Sequence, residues 1–249
     1  MGEKGIFEET FRIRSFETDA GQHLTFISLS NYILEAAGRH ARQLKLDIPS
    51  LLRKGLTWML ARFRVQVDSY PCAGEKIRIQ TWPSGVKRLF ALRDFILYNE
   101  RENRIGRAYS AWLAIDLKTH RPVPCLELVR NILVPREAKN DQLKKLSAVP
   151  GRCWKTSFRI LYSDMDINQH VNSVSYIKWM IETIPYEIQK SHVIKEIVIN
   201  YISEALYGEN VVCMTAGNHE NKDLFSHSIV NQDETKELVR ASSLWHISA

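Results

Sequence analysis

The sequence predicts an α+β protein built from one unit used twice, each copy a long helix wrapped by an antiparallel β-sheet. Three observations predict it. A stretch near the start, FRIRSFETDAGQH (11–23), reappears 147 residues later as FRILYSDMDINQH (158–170). It pairs Phe11 with Phe158, Arg12 with Arg159, Ile13 with Ile160, Asp19 with Asp166, Gln22 with Gln169 and His23 with His170. Each copy is then followed by apolar residues at helical spacing, and each helical segment by several alternating, strand-like runs. A chance match would not bring the same sequel twice, so the chain reads as a tandem duplication.

In the first copy the helix is marked by Leu29, Ile33, Ala36, Ala37, His40 and Leu44, close to a 3.6-residue period. Ser28 or Ser30 is the expected N-cap, and Pro49 lies beyond the end. The run 57–67 alternates, which places Met59, Ala61, Phe63, Val65 and Val67 on one face and Arg62, Arg64 and Gln66 on the other. Further strands are expected at 75–82, 89–99 and 107–117, separated by turn signals such as PCAGE and WPSG. The charged, proline-bounded run LVPREAKNDQLKKLSAVPG marks a linker, which sets the units at 1–132 and 153–249 with 133–152 between them.

The second copy repeats the programme. Asn172 or Ser173 caps a helix whose inward residues are Val174, Ile177, Met180, Ile181 and Ile184, and Pro185 stops it. Strands follow at about 195–205, 210–217, 223–232 and 236–247. A helix lays its apolar stripe on one face of such a sheet, and two units joined edge to edge would remove exposed edges. This is the double hotdog arrangement.

Composition narrows the function. The chain has 249 residues, 45% hydrophobic and 25% charged, which suits globular units with packed cores. The opening MGEKGIFEETFRIRSFETD lacks the apolar core of a secretory signal and carries too many glutamates for a transit peptide. No apolar run is long enough to span a membrane. Cys72, Cys125, Cys153 and Cys213 are far apart and read as reduced thiols, so a cytoplasmic protein is expected. A net charge of +6 admits an acidic partner, but no zinc finger, RNP-type motif or long basic run points to nucleic acid.

The densest cluster of polar residues is SDMDINQHVNS (163–173), between an apolar strand and an apolar helix. Asp164-x-Asp166-x-Asn168 opens like a calcium loop, but Gln169 stands where the loop needs glycine and Ser175 where it needs glutamate. A zinc site lacks ligands besides His170. Neither metal nor cofactor is expected. Turn and capping chemistry accounts for Asn172 and Ser173, and Asp164 can belong to the same scaffold. It does not account for Asp166, Asn168 and His170 at i, i+2 and i+4, which in an extended segment converge on one side. The first copy keeps Asp19 and His23 but has Gly21 in place of Asn168. At the same offset it has Thr57 in place of Glu204. A set kept complete in one half only is the pattern of chemistry confined to that half.

RILYSDMDINQHVNSVSYIKWMIETIP resembles the signature of the plant and bacterial acyl-acyl-carrier-protein thioesterases, and SNYILEAAGRHA and TWMLARFRVQVDSYPCAGEKIRIQTWPSG resemble the same family's N-terminal half. The resemblance extends over about residues 5–247. It implies a double hotdog that hydrolyses fatty acyl-ACP to free fatty acid and holo-ACP, without a cofactor, with an acidic carrier protein and its acyl-phosphopantetheine as partners. The chain would act as a monomer or homodimer and, with no transit peptide evident, a bacterial source is expected.

The family's catalytic Asp, Asn, His and Glu fall on Asp166, Asn168, His170 and Glu204, the last placed on the strand after the helix. Plant members carry a cysteine directly after that glutamate, whereas this chain has Ala205, so no cysteine is required. His170 and Glu204 would activate water, Asn168 would hold the water or the carbonyl, Asp166 would orient the network, and amides at the helix start could face the oxyanion. Direct attack by Asp166 or Glu204 through an anhydride is the other route.

The family's acyl tunnel lies in the N-terminal half, here around Trp58, Met59, Phe63 and Ile79, and Arg39, Arg42, Lys45, Lys87 and Arg88 are the basic candidates for carrier docking. An acyl-CoA thioesterase of the same fold and a non-catalytic acyl-binding module are the alternatives.

Overall fold

Each unit starts with a strand that runs through a short 3-10 turn into a capped helix. In unit 1 these are β1 (Phe7–Arg12), the turn Ser15–Glu17 and α1 (Phe26–Gln43). In unit 2 they are β7 (Trp154–Arg159), the turn Tyr162–Asp164 and α4 (Ser173–Thr183). The computed structural model describes residues 5–134, 146, 148–149, 153–167, 169–218 and 221–247. The chain divides into Met1–Leu143 and Lys144–Ala249. Most of the expected linker lies outside the described residues.

Unit 1 continues with α2 (Ile48–Leu52), β2 (Leu56–Val67), β3 (Lys76–Lys87), β4 (Phe90–Asn99), β5 (Arg104–Asp116), β6 (Arg121–Val123) and α3 (Leu126–Val129). Its strands pair antiparallel in the order β1-β3-β4-β5-β2, with β6 added to β5. Unit 2 continues with α5 (Tyr186–Ser191), β8 (His192–Tyr201), β9 (Asn210–Gly217), β10 (Leu224–Asn231) and β11 (Glu237–Ile247). Its order is β7-β9-β10-β11-β8, the same path through the sheet. Among the described residues no helix is long and apolar enough to cross a membrane.

The helices bury the stripes their spacing predicts. Leu29, Ile33, Ala36, Ala37 and His40 of α1 are buried, as are Val174, Ile177 and Met180 of α4. Full burial of one such side chain is worth roughly 1.5–3 kcal/mol, so the stripe fixes each helix on its sheet. Tyr176 and Trp179 are also buried, and Trp179 stacks on Phe158 as Tyr32 stacks on Phe11 in unit 1. Asn172 caps α4 by accepting the Val174 N–H, within the expected choice. The cap of α1 is Thr25, which accepts the Ser28 N–H. The Ser30 hydroxyl instead donates to the Phe26 carbonyl inside the helix.

Strand β2 corrects the face assignment. Its pairing with β5 shifts between Leu60 and Arg62, a bulge that uses one extra residue. Leu56, Trp58 and Leu60 therefore share the face of Phe63, Val65 and Val67, and Met59 points to the other side. Strict alternation had grouped Met59 with Phe63 because nothing in the local sequence marks the bulge.

Candidate active site

The two repeated loops have the same hydrogen-bonded frame. The Asp19 N–H donates to the His23 carbonyl at 2.9 Å, and the Asp166 N–H to the His170 carbonyl at 2.8 Å. Asp19 Oδ1 accepts the His23 N–H at 3.0 Å, and Asp166 Oδ1 the His170 N–H at 3.1 Å. Gln22 and Gln169 both sit at positive φ, 65° and 62°. The segment is thus a closed turn and not the extended run expected from sequence; closure, not strand alternation, brings Asp166 and His170 together. Asn168 lies outside the described residues.

Asp164 is buried scaffold. Its carboxylate accepts the Leu161 N–H at 2.9 Å, and its carbonyl accepts the Asn172 N–H at 2.7 Å, tying the loop to the helix cap. In unit 1 Glu17 does the same for the Arg14 N–H.

The second half of the site comes from the segment after β8. The strand ends at Tyr201, so Glu204 stands beyond it and not on it. Ile202 and Ser203 donate to the Leu238 carbonyl, and Lys236 Nζ donates to the Glu204 carbonyl at 3.1 Å. These bonds carry the Glu204 side chain to His170, with Nδ1 and Oε1 3.3 Å apart. The side chains are 43% and 45% exposed, so the pair is open to solvent and substrate. With Nδ1 turned to a carboxylate, Nε2 is the ring nitrogen left for chemistry.

The first unit shows what this pair replaces. The Ile13 N–H meets the Glu75 carbonyl there as Ile160 meets Glu209, and Cys72 N–H meets the Glu75 carboxylate as Leu206 meets that of Glu209. Counting back from these matched bonds, the counterpart of Glu204 is Tyr70, not Thr57. The helix and the stretch that follows it are both longer in unit 1, so one offset does not serve both halves of the motif. Burial and the nearby Asp19 charge push the Tyr70 hydroxyl well above its ordinary pKa, so it is no proton acceptor.

Sequence reasoning missed the surroundings of the pair. Leu161, Tyr162, Ile167, Ile202, Leu206 and Tyr207 are all exposed, Tyr162 by 85% and Ile167 by 83%. Their counterparts in unit 1 are Arg14, Ser15, Ala20, Asp68, Cys72 and Ala73. Aligning the repeats by these bonds would have exposed the contrast. Tyr176 was missed as well: it is buried against Trp179 and Tyr201, with the Ala205 backbone against its hydroxyl.

Residues 4–133 match the acyl-ACP thioesterase N-terminal domain and residues 151–247 the C-terminal domain. The chain belongs to the acyl-ACP thioesterase family. It is 28% identical, over 96% of its length, to a chloroplastic palmitoyl-acyl carrier protein thioesterase of Gossypium hirsutum, of which it spans 63%. It is 27% identical, over 98% of its length, to the chloroplastic oleoyl-acyl carrier protein thioesterase 1 of Arabidopsis thaliana, spanning 77% of that protein. Among solved structures, an acyl-ACP thioesterase from Bacteroides thetaiotaomicron superposes with a TM-score of 0.84 at 28% identity, covering 97% of this chain and 98% of that one. The 12:0-ACP thioesterase of Umbellularia californica shares the fold, with a TM-score of 0.90 at 21% identity and full coverage of both chains. The double hotdog read from the sequence is therefore the fold of the family.

Proposed function

We propose that this member of the family hydrolyses the thioester of fatty acyl-ACP, releasing free fatty acid and holo-ACP. The observation that carries the reading is the 3.3 Å approach of Glu204 to His170, two side chains from separate loops, at a place where unit 1 has a tyrosine. In the proposed mechanism Glu204 supports positive charge on His170, and Nε2 takes a proton from water as its oxygen attacks the thioester carbonyl. A positioned base of this kind supplies about 10²–10⁴-fold in rate. The proton then passes to the departing pantetheine thiolate.

Asp166 is assigned an orienting role, because its carboxylate holds the His170 amide. Asn168 is assigned to the carbonyl oxygen or the attacking water. Asn172 already engages the Val174 and Ser175 amides, so the helix start contributes less to an oxyanion than expected.

We assign the acyl chain to unit 1. Phe63 and Ile79 are filled core, whereas Trp58 is only partly buried and remains the better candidate for contact with the chain. The apolar rim around His170 suits the pantetheine arm. For the acidic carrier, Arg39 is neutralised by Glu9 and Glu35, and Arg42 stands 4.0 Å from Asp47. Among the described residues Lys45, Lys87 and Arg88 have no ion pair, so they are the favoured docking cations. Free cysteines suit a reducing, cytoplasmic setting.

The test is thiol release from matched acyl-ACP and acyl-CoA. Faster turnover of acyl-ACP, lost in a folded Glu204→Gln variant, is expected. A folded chain that turns over neither would be a binding module. Single turnover in oxygen-18 water separates the routes, since label in a protein carboxylate would sink direct water attack.

A further inference from the structure

The interior of unit 1 holds a cation that no other part of the fold explains. Arg93 on β4 pairs in register with Ser110, which pairs with Phe63 on β2, so all three project to the same face of the sheet. That is the face covered by α1, and His40 of α1 meets it. Arg93 Nη1 lies 3.0 Å from His40 Nδ1 and 3.1 Å from Thr81 Oγ1. Arginine only donates, so His40 accepts at Nδ1, and Thr81 accepts while donating onward to the Asp94 carbonyl. Both partners are neutral. Burial lowers the Arg93 pKa to about 10, which leaves it charged at neutral pH.

Other arginines of the chain meet carboxylates: Arg39 with Glu9 and Glu35, Arg78 with Glu8 and Glu102, Arg240 with Glu237. Among the described residues Arg93 has none. An inward guanidinium without an anion is unfavourable unless something else pairs with it.

The sister unit shows that the fold does not need it. Phe225 pairs with Ser243 as Arg93 pairs with Ser110, and in both units a tryptophan, Trp245 or Trp112, donates to that serine at 2.8 Å. Phe225 is buried there without any charge. Nor is every side chain of the inner face around Arg93 fully buried. Leu56, Trp58 and Trp112 lie on it and are only partly buried, packed against Leu46, Leu51 and Ala114. Arg93 itself keeps some exposure. An apolar face whose side chains are only partly buried, with a guanidinium among them, suits a ligand that is mostly hydrocarbon and carries one oxygen-bearing group.

We propose that Arg93, with Thr81 and His40 behind it, recognises an oxygen-bearing tail of the acyl chain, foremost a carboxylate, so that the substrates include chains with a polar end. This rests on the reading of unit 1 as the acyl-binding unit. The carboxyl end of the substrate is claimed by the hydrolytic residues, which leaves the tail for Arg93.

The test compares a dicarboxylic acid with the monocarboxylic acid of equal carbon number, by calorimetry on the whole chain, and the matching acyl-ACPs by hydrolysis. The intact protein is expected to favour the diacid by about tenfold or more, the scale of a hydrogen-bonded, desolvated charge pair. Arg93→Met should abolish that preference while leaving the melting temperature unchanged or raised, because the lost charge has no buried carboxylate partner. Equal or weaker binding of the diacid by the intact protein overturns the proposal, as does a preference that Arg93→Met leaves intact. Should Arg93→Met fail to fold, the diacid comparison on the intact protein still decides. If diacid preference holds but no acyl-ACP is hydrolysed, the thioesterase reading falls and the Arg93 site stands.

Discussion

Asp19 and Asp166 hold their loops with the same two bonds, yet only the loop of unit 2 faces a carboxylate from the other side of its fold. In unit 1, His23 lies 3.9 Å from Asp19 of its own loop, and the second segment brings Tyr70. The frame is therefore structural and shared, and the histidine–glutamate pair is an addition to it. What distinguishes the two copies is the residue supplied across the gap, Glu204 or Tyr70, not the frame of the loop. The same holds inside the units. Thr81 and Thr215 are retained, but Thr215 meets the neutral His227, which a serine completes, whereas Thr81 meets the charged Arg93.

The largest effect should come from breaking this asymmetry at its centre. His170→Ala or Glu204→Gln is expected to lower kcat by about 10²–10⁴-fold with the fold unchanged by circular dichroism. His23→Ala, in the matching loop, should leave kcat within about twofold. Comparable losses from both histidines would mean that the first loop is not idle.

Much of this was readable from residues alone. The duplication, both helical stripes and the strands of unit 2 emerged from spacing, because apolar periodicity reports burial directly. The site was half legible. Asp166 and His170 stood out because the repeat kept their partners. The closed form of their loop did not, since it depends on Gln169 at positive φ, where glycine or asparagine is the usual signal. The cap of α1 was misplaced: Ser28 or Ser30 was expected, but the helix starts at Phe26 and Thr25 caps it by accepting the Ser28 N–H. The pairing of Glu204 with Tyr70 needed the hydrogen bonds of the later turn, since inserted chain had shifted the offset.

A second, smaller difference lies behind Glu204. Tyr176 and Tyr201 replace Leu29 and Val67 of unit 1, and the Tyr201 hydroxyl donates to the Ser173 carbonyl at 3.0 Å. Tyr176 sets its hydroxyl against the Ala205 backbone, next to Glu204. Tyr176→Phe keeps the ring and its packing but frees that backbone. A fall of about tenfold in kcat is expected, with KM and melting temperature little changed, since one neutral hydrogen bond is worth about 1 kcal/mol. A KM effect alone would place Tyr176 in binding and not in positioning.

The buried histidines give the third contrast, in stability. Burial lowers His227 to about 3, and burial with the Arg93 charge lowers His40 to about 4. Both fold neutral, whereas the unfolded chain takes up their protons near pH 6.5. Their contribution is thus complete above about pH 6.5 and is lost as pH falls toward their folded values. Each should add a slope of about 1.4 kcal/mol per pH unit to urea-unfolding free energies across that window. His227→Phe copies Phe95, its counterpart in unit 1, and should remove one share of the slope. An unaltered acid profile would show that His227 is not held neutral.

The smallest effect tests where the copies are the same. Gly74 and Gly208 occupy matched turns at φ 86° and 83°, and a Cβ on either would meet nothing within 4 Å. Steric contact is therefore excluded, and only the left-handed backbone resists a side chain. Gly74→Ala and Gly208→Ala should each destabilise by about 1 kcal/mol, and by the same amount within error in denaturant unfolding. The Gly208 turn also carries Glu209, whose carboxylate fixes Leu206 two residues from Glu204, while Gly74 and Glu75 do the same for Cys72 beside Tyr70. Equal stability losses accompanied by a fall in kcat for Gly208→Ala alone would locate the functional difference in the residue each turn carries, because the turns themselves would have responded alike.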